Sequence, residues 1–161
     1  MIRMNRRTFL FTGAAAACTL GAFSPAQAQR AFPFRLSDAQ WRRRLSPAAY
    51  AVLRKHNTER PGSSPLDREK RRGTFHCAGC NHRLFASATK FDSGTGWPSF
   101  HSPLPGAVGT TEDRSFFMTR TEVHCARCGG HLGHVFPDGP KPTGQRYCMN
   151  GLAMRFEPKE G

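Results

Sequence analysis

No stretch of this chain is long and apolar enough to stay in a membrane: its one sizeable hydrophobic run, Phe11 to Phe23, is shorter than the about 20 residues a spanning helix needs. There is no low-complexity tract, and no internal repeat beyond two four-residue Cys-x-x-Cys units. With 161 residues, that leaves room for one domain rather than an array or a pair of domains. Acidic residues are scarce, 11 against 24 Lys and Arg, for a formal charge of +13. The imbalance is local. Residues 29–72 carry twelve Lys and Arg against four acids, whereas residues 73–161 carry nine against seven. The body is therefore close to neutral, and the basic character belongs to an N-terminal arm. Such an arm can touch nucleic acid or an anionic membrane surface, but a solvated basic face is the plainer reading, and no nucleic acid is expected as partner.

Residues 1–28 differ from the rest. A basic start, Asn5-Arg6-Arg7-Thr8-Phe9-Leu10, leads into the apolar run and ends at Ala26-Gln27-Ala28. That order describes a cleaved signal peptide, with the mature chain starting at Gln29. The Arg6-Arg7 pair followed by Phe9-Leu10 resembles the twin-arginine export signal, an ordinary secretory signal being the alternative. Lipidation at Cys18 is a third reading, weakened because Ala15 stands where a leucine-like residue is usual. Export to the periplasm, or otherwise out of the cytoplasm, is the expectation, with no stable membrane insertion of the mature chain.

In the arm, residues 29–72, Ser37 to His56 reads as helical: Trp41, Leu45, Ala48, Ala49, Val52 and Leu53 recur at spacings of three and four. Ser46-Pro47 is a cap followed by a first-turn proline, which divides the segment into two short helices. Arg60 to Asp67, with Pro61, Gly62 and Pro65, reads as a loop. From Gly73 the texture becomes β-prone, with strands expected at Thr74–His76, Arg83–Phe85, Phe116–Val123 and Leu152–Phe156. Residues 73–161 thus form a mainly β, mostly antiparallel body, and arm and body together make one domain.

Six cysteines occur, and removal of Cys18 with the signal leaves an odd five. Cys77-Ala78-Gly79-Cys80 and Cys125-Ala126-Arg127-Cys128 form two knuckles whose spacing lets both sulfurs of each face one ion. Two knuckles complete the tetrahedral sulfur shell that Zn2+ accepts. The alternative, a pair of Cys-x-x-Cys disulfides, would be strained and redox-active rather than structural. A filled four-cysteine shell has no open position for a substrate, so the zinc is structural and joins two distant hairpins. Gly79 and Gly129-Gly130 suit the tight turns such knuckles need.

Cys148 stands apart, in Gly144-Gln145-Arg146-Tyr147-Cys148-Met149-Asn150. A lone cysteine is commonly a core residue. Here Arg146 can stabilise its thiolate, His131 and His134 can converge on it, and an unpaired thiol in an exported protein is unusual unless it reacts.

Gly94-Thr95-Gly96-Trp97-Pro98-Ser99-Phe100, Cys128-Gly129-Gly130-His131-Leu132-Gly133-His134-Val135-Phe136, Asp138-Gly139-Pro140 and Arg146-Tyr147-Cys148-Met149-Asn150 together resemble the B-type methionine sulfoxide reductases. The match runs over roughly residues 37–157 and includes Thr58-Glu59-x-Pro61 and both knuckles in register. The resemblance implies two antiparallel sheets, a structural zinc remote from the active site, and reduction of methionine-(R)-sulfoxide in proteins, with the free amino acid as a further candidate. By position, Cys148 would be the nucleophile, with His131, His134 and Asn150 around the sulfoxide oxygen and Arg146 lowering the thiol pKa. Trp97 would receive the substrate methyl group, with Phe136 beside it and Asp138 shaping the loop below. Histidine is the natural proton donor near neutral pH, and an indole face suits a small apolar group. The products would be methionine and a Cys148 sulfenic acid.

One position departs from many relatives, which carry a resolving cysteine where this chain has Thr95. With four cysteines on zinc, the sulfenic acid must then be attacked by an external thiol, from a thioredoxin-like partner or a small molecule. Gly62-Ser63-Ser64 also replaces a stretch that is usually more aromatic. His76, His82, His101 and His124 have no motif support and read as surface or packing residues. Two other classes compete: a basic zinc-ribbon-like module that binds nucleic acid or protein, and a zinc hydrolase, which would need an open ligand position. Neither accounts for Trp97, the two histidines and the fifth cysteine together.

Overall fold

The computed structural model describes residues 32–115 and 118–160. The signal-peptide segment expected at residues 1–28, with Cys18, lies outside them. Among the described residues no helix is long and apolar enough to cross a membrane.

The arm begins with helix α1, Asp38–Arg44, capped by Ser37: its hydroxyl accepts from the Gln40 amide, and the Gln40 side chain accepts from the Ser37 amide. Leu45 is extended, and Ser46 then caps helix α2, Pro47–Lys55, whose proline stands in the first turn. The helix pair buries Trp41, Ala49, Tyr50, Val52 and Leu53. A short 310 turn at Pro65–Arg68 ends the loop that follows.

All strand pairings are antiparallel. One sheet has the order β2-β1-β9, from β1 (Gly73–Cys77), β2 (Arg83–Ala86) and β9 (Met154–Pro158). The other has the order β3-β4-β8-β7-β6-β5, from β3 (Lys90–Phe91), β4 (Ser99–Phe100), β5 (Val108–Asp113), β6 (Arg120–Cys125), β7 (His131–Phe136) and β8 (Arg146–Met149). Phe75, Leu84, Phe85, Phe100, Val123, Leu132 and Met149 are fully buried between these elements. Phe85 stacks on Phe100 at 4.3 Å between centroids, and Phe75 meets Phe100 edge-on at 4.9 Å. Burial of each such ring is worth roughly 1.5–3 kcal/mol, so these aromatics dominate a small core.

The mainly β fold with two antiparallel sheets and two short helices is as the sequence implied, with shifted strand limits. Of the expected strand 116–123, residues 116 and 117 lie outside the described residues and the strand is found as Arg120–Cys125, while Leu152–Phe156 is found as Met154–Pro158. Gly151–Ala153 instead form a 310 turn, because the amides of Gly151 and Leu152 bond the buried Glu59 carboxylate at 2.6 and 3.0 Å.

Register sets the site. Across the larger sheet, Ser99 pairs with Cys148, Cys148 with His134, and His134 with Glu122, one row over β4, β8, β7 and β6. A Cβ on Gly133 would collide with the Cys148 carbonyl, so this close approach of β7 to β8 requires glycine there.

Candidate active site and metal cluster

Cys77 ends β1 and Cys125 ends β6, and each is followed by a turn that brings back the second cysteine of its knuckle. All four sulfurs are buried and none is in a disulfide. The ligand atoms of Cys77, Cys80, Cys125 and Cys128 lie within 4.8 Å of one another, with Sγ···Sγ distances of 3.7 Å (Cys77–Cys128) and 3.6 Å (Cys80–Cys125). A regular tetrahedron with Zn–S bonds of about 2.3 Å has edges of about 3.8 Å, so the four residues fit a zinc ion that would cross-link the two sheets. Asn81 (φ 60°) turns the first knuckle and Gly129 (φ 66°) the second. Gly79 lies in the turn of the first knuckle, as expected, without taking the left-handed conformation. Its lack of a side chain admits the Trp41 ring.

Arginines surround this cluster. Arg44 Nε donates to the Gly79 carbonyl at 2.5 Å, Arg54 Nη1 to Cys128 O at 3.2 Å, and Arg127 Nη1 to Cys80 O at 3.0 Å. Four thiolates around a divalent ion leave a net charge of about −2, which these cations offset. Part of the arm's basic character thus serves the knuckles.

The pocket holding Cys148 lies on the larger sheet. It has a volume of about 140 Å³ and is lined by Thr58, Trp97, Arg120, Gly133, His134, Phe136, Cys148 and Asn150. A larger hollow of about 570 Å³ at β1, β2 and β9 contains no cysteine or other strong nucleophile, so size alone does not locate the chemistry. Burial pushes the Cys148 thiol up, while Thr95, Arg146 and Ser99 pull it back down. Thr95 Oγ1 is 3.9 Å from Sγ, and Ser93 bonds both Thr95 Oγ1 (2.8 Å) and Ser99 Oγ (2.7 Å). A chain of hydroxyls therefore backs the sulfur.

Arg146 is held by Asp138 through two bonds of 2.9 and 2.8 Å and stacks on Phe136 at 4.5 Å from the ring centroid. This bidentate pair keeps its charge beside the thiol and gives Asp138 a defined task. His134 Nε2 bonds Asp113 Oδ2 at 2.8 Å, and Arg120 Nη2 donates to the same oxygen at 2.8 Å. Desolvation lowers the His134 pKa, against the opposing pull of Asp113. Asp113 itself is held well below the usual carboxylate range, chiefly by the side chain and backbone amide of Ser115 and then by His134.

His131 is placed differently from the other expected residues. It is 2% exposed and does not line the pocket; its ring stands edge-on to His134 at 5.5 Å, and its Nδ1 bonds Glu122 Oε1 at 2.8 Å. Asn150 lines the pocket with both amide ends engaged: Oδ1 accepts from the Glu59 amide at 3.0 Å, and Nδ2 donates to Leu132 O at 3.0 Å. One amide hydrogen is left over. Trp97 Nε1 donates to the Glu59 carbonyl at 3.2 Å, which fixes the indole as a wall of the pocket. His76, His82, His101 and His124 lie outside the pocket.

Thr58, Arg120, Asp113 and Glu122 were not singled out for roles from sequence. The motif Thr58-Glu59 was visible, but the function of Glu59 as a bracket between Trp97, Asn150 and the Gly151 turn needs three dimensions. Asp113 and Glu122 sit on exposed-looking strands, and only the β5–β6–β7 register brings them beneath the histidines.

A half-buried free thiol at the base of a pocket with an indole wall, an imidazole and a carboxamide, beside a separate four-sulfur cluster, is the layout of a cysteine-based enzyme with a structural metal. Residues 45–158 match the SelR domain family. The chain is 56% identical over 123 residues to the peptide methionine sulfoxide reductase MsrB of Agrobacterium fabrum, covering 76% of this chain and 91% of that protein. It is 58% identical over 124 residues to the protein of the same name from Bradyrhizobium diazoefficiens, covering 76% and 89%. The chain belongs to the SelR domain family, the B-type methionine-R-sulfoxide reductases.

Proposed function

We propose that this enzyme reduces methionine-(R)-sulfoxide in oxidised proteins, with Cys148 as nucleophile. A pocket of about 140 Å³ suits the methylsulfinyl end of one side chain, which an oxidised polypeptide can present from its surface. The substrate methyl group would rest on Trp97 and Phe136. The sulfoxide oxygen would face His134 and the remaining amide hydrogen of Asn150.

The Cys148 thiolate attacks the sulfoxide sulfur, and the oxygen is protonated as it leaves for Sγ. Methionine departs, and Cys148 is left as the sulfenic acid. His134 supplies the proton: its lowered pKa makes its imidazolium a stronger acid, and Asp113 anchors the opposite nitrogen. His131 acts from behind by holding His134 edge-on, so it is a positioning residue. Arg146 stabilises the thiolate against the effect of burial. No other thiol among the described residues is free of the four-cysteine cluster, so an external thiol attacks the sulfenic acid, releasing water and leaving a mixed disulfide. A second thiol then restores Cys148. A thioredoxin-like protein or a small-molecule thiol fits this role. The ion in the cysteine cluster would stabilise the fold and take no part in these steps. The Arg6-Arg7 segment supports export, with the periplasm as the place of action.

The observation that carries this reading is Cys148 facing His134 across the β7–β8 pair, in a pocket walled by Trp97. The test is reduction of the two resolved sulfoxide epimers with dithiothreitol, with Cys148→Ser beside the parent. Turnover of the R epimer alone, absent in the variant, is expected. Failure with both epimers in zinc-loaded protein refutes the reading and moves a zinc-stabilised binding module to first place.

A further inference from the structure

At the C-terminal end of α2, a second group of metal-ligating side chains meets the β6–β7 hairpin. Glu122 has a side chain 12% exposed, and its Oε1 is shared by two imidazoles, His131 Nδ1 at 2.8 Å and His56 Nδ1 at 3.1 Å. Among the described residues it makes no ion pair with lysine or arginine. A carboxylate withdrawn from water with only two titratable histidines opposite it lacks a permanent countercharge.

His56 reaches this point through a left-handed backbone (φ 56°) at the C-cap of α2, where glycine or asparagine is the usual occupant. That conformation lays its ring against His131, 5.0 Å between centroids. One ligand atom from each of His56, Glu122 and His131 lies within 4.8 Å of the others, the same convergence seen among the four cysteine sulfurs.

We propose that His56, Glu122 and His131 form a second metal site, for a divalent ion of the zinc type, with a position left for water on its exposed side. Two imidazoles and a carboxylate are the donor set of open zinc sites. Bonds of about 2.0–2.1 Å in a tetrahedral array place donor atoms about 3.3–3.4 Å apart, so the trio must open by a few tenths of an ångström. His56, with a side chain 63% exposed, can make that shift. The ion would also fix the tautomer of His131. Its Nε2 is buried with no partner, and a proton on Nδ1 toward Glu122 would leave a bare acceptor there. An ion on Nδ1 keeps the ring proton on Nε2, so ion occupancy selects the tautomer of the ring behind His134.

The test is a titration of the full chain, holding zinc in its cysteine cluster, with Co2+. The parent is expected to take up one further equivalent, with d–d absorption and no sulfur-to-cobalt charge transfer. His56→Asn, a substitution that suits the left-handed cap, is expected to lose that equivalent while keeping its zinc, its melting transition and its turnover in metal-free buffer. Glu122→Gln is expected to lose it as well. Absence of a second equivalent in the parent overturns the proposal, as does undiminished uptake by either variant. Uptake is read without reference to turnover, so the site stands or falls separately from the reaction proposed above.

Discussion

Glu59 offers the sharpest test of how the arm supports the pocket. Its carboxylate, on a residue 7% exposed, accepts from the amides of Gly151 at 2.6 Å and Leu152 at 3.0 Å. In Glu59→Gln one oxygen remains, and an NH2 group is turned toward a backbone donor. The change removes one charge-assisted bond, worth about 1.5–3 kcal/mol, and leaves a partly buried N–H opposed by another donor, costing about 1–3 kcal/mol. Because Leu152 is at the margin of solvent, a total of about 2–4 kcal/mol is expected. For a body of this size that lowers Tm by roughly 6–20 °C. The backbone of the same residue holds Trp97 and Asn150, so kcat/KM should fall about tenfold as the wall and the amide lose their fixed geometry. The assays are differential scanning calorimetry and steady-state reduction of a sulfoxide-containing peptide. A variant as stable and as active as the parent would refute the bracket.

Removing the metal with a strong chelator, or substituting Cys125→Ser, should abolish the cooperative melting transition seen by circular dichroism, because the buried sulfurs join both sheets and structural zinc binding is worth on the order of 10 kcal/mol. Asp113 and Glu122 have folded pKa values below their unfolded ones, so the stability they contribute is present above pH of about 4.5 and is lost as pH falls toward their folded values. His134, with its lowered pKa, acts in the same direction, its share being lost as pH falls below about 6.5. Tm against pH should therefore decline on the acid side, and Asp113→Asn should flatten that decline. Thr95→Cys should yield an intramolecular disulfide with Cys148 after one turnover, since Thr95 Oγ1 already lies 3.9 Å from the sulfur. Mass spectrometry after a single turnover without added thiol would detect it, and persistence of the sulfenic acid would show that the two side chains do not meet.

Much of this protein is readable in the chain itself, because the informative features are local. Helix periodicity from Trp41 to Leu53, the Ser46-Pro47 break and the two Cys-x-x-Cys spacings each depend on residues a few positions apart. Several short motifs in fixed order point to Cys148, Trp97, His134 and Asn150 for the same reason. Strand limits were less legible. The polar strand Val108–Asp113 has a mostly exposed middle and no apolar alternation, so its residues give no period to detect. What only the tertiary structure decided are relations across strands. Pairing of β5, β6 and β7 places Asp113 under His134 and Glu122 against His131, separating two histidines that look equivalent in Gly130-His131-Leu132-Gly133-His134: one lines the pocket and the other is buried behind it. Likewise the arm's arginines read as a solvated face in one dimension, yet Arg44 and Arg54 bond knuckle carbonyls 35 and 74 residues away. Such contacts follow from register and packing, which depend on the whole chain at once rather than on any segment of it.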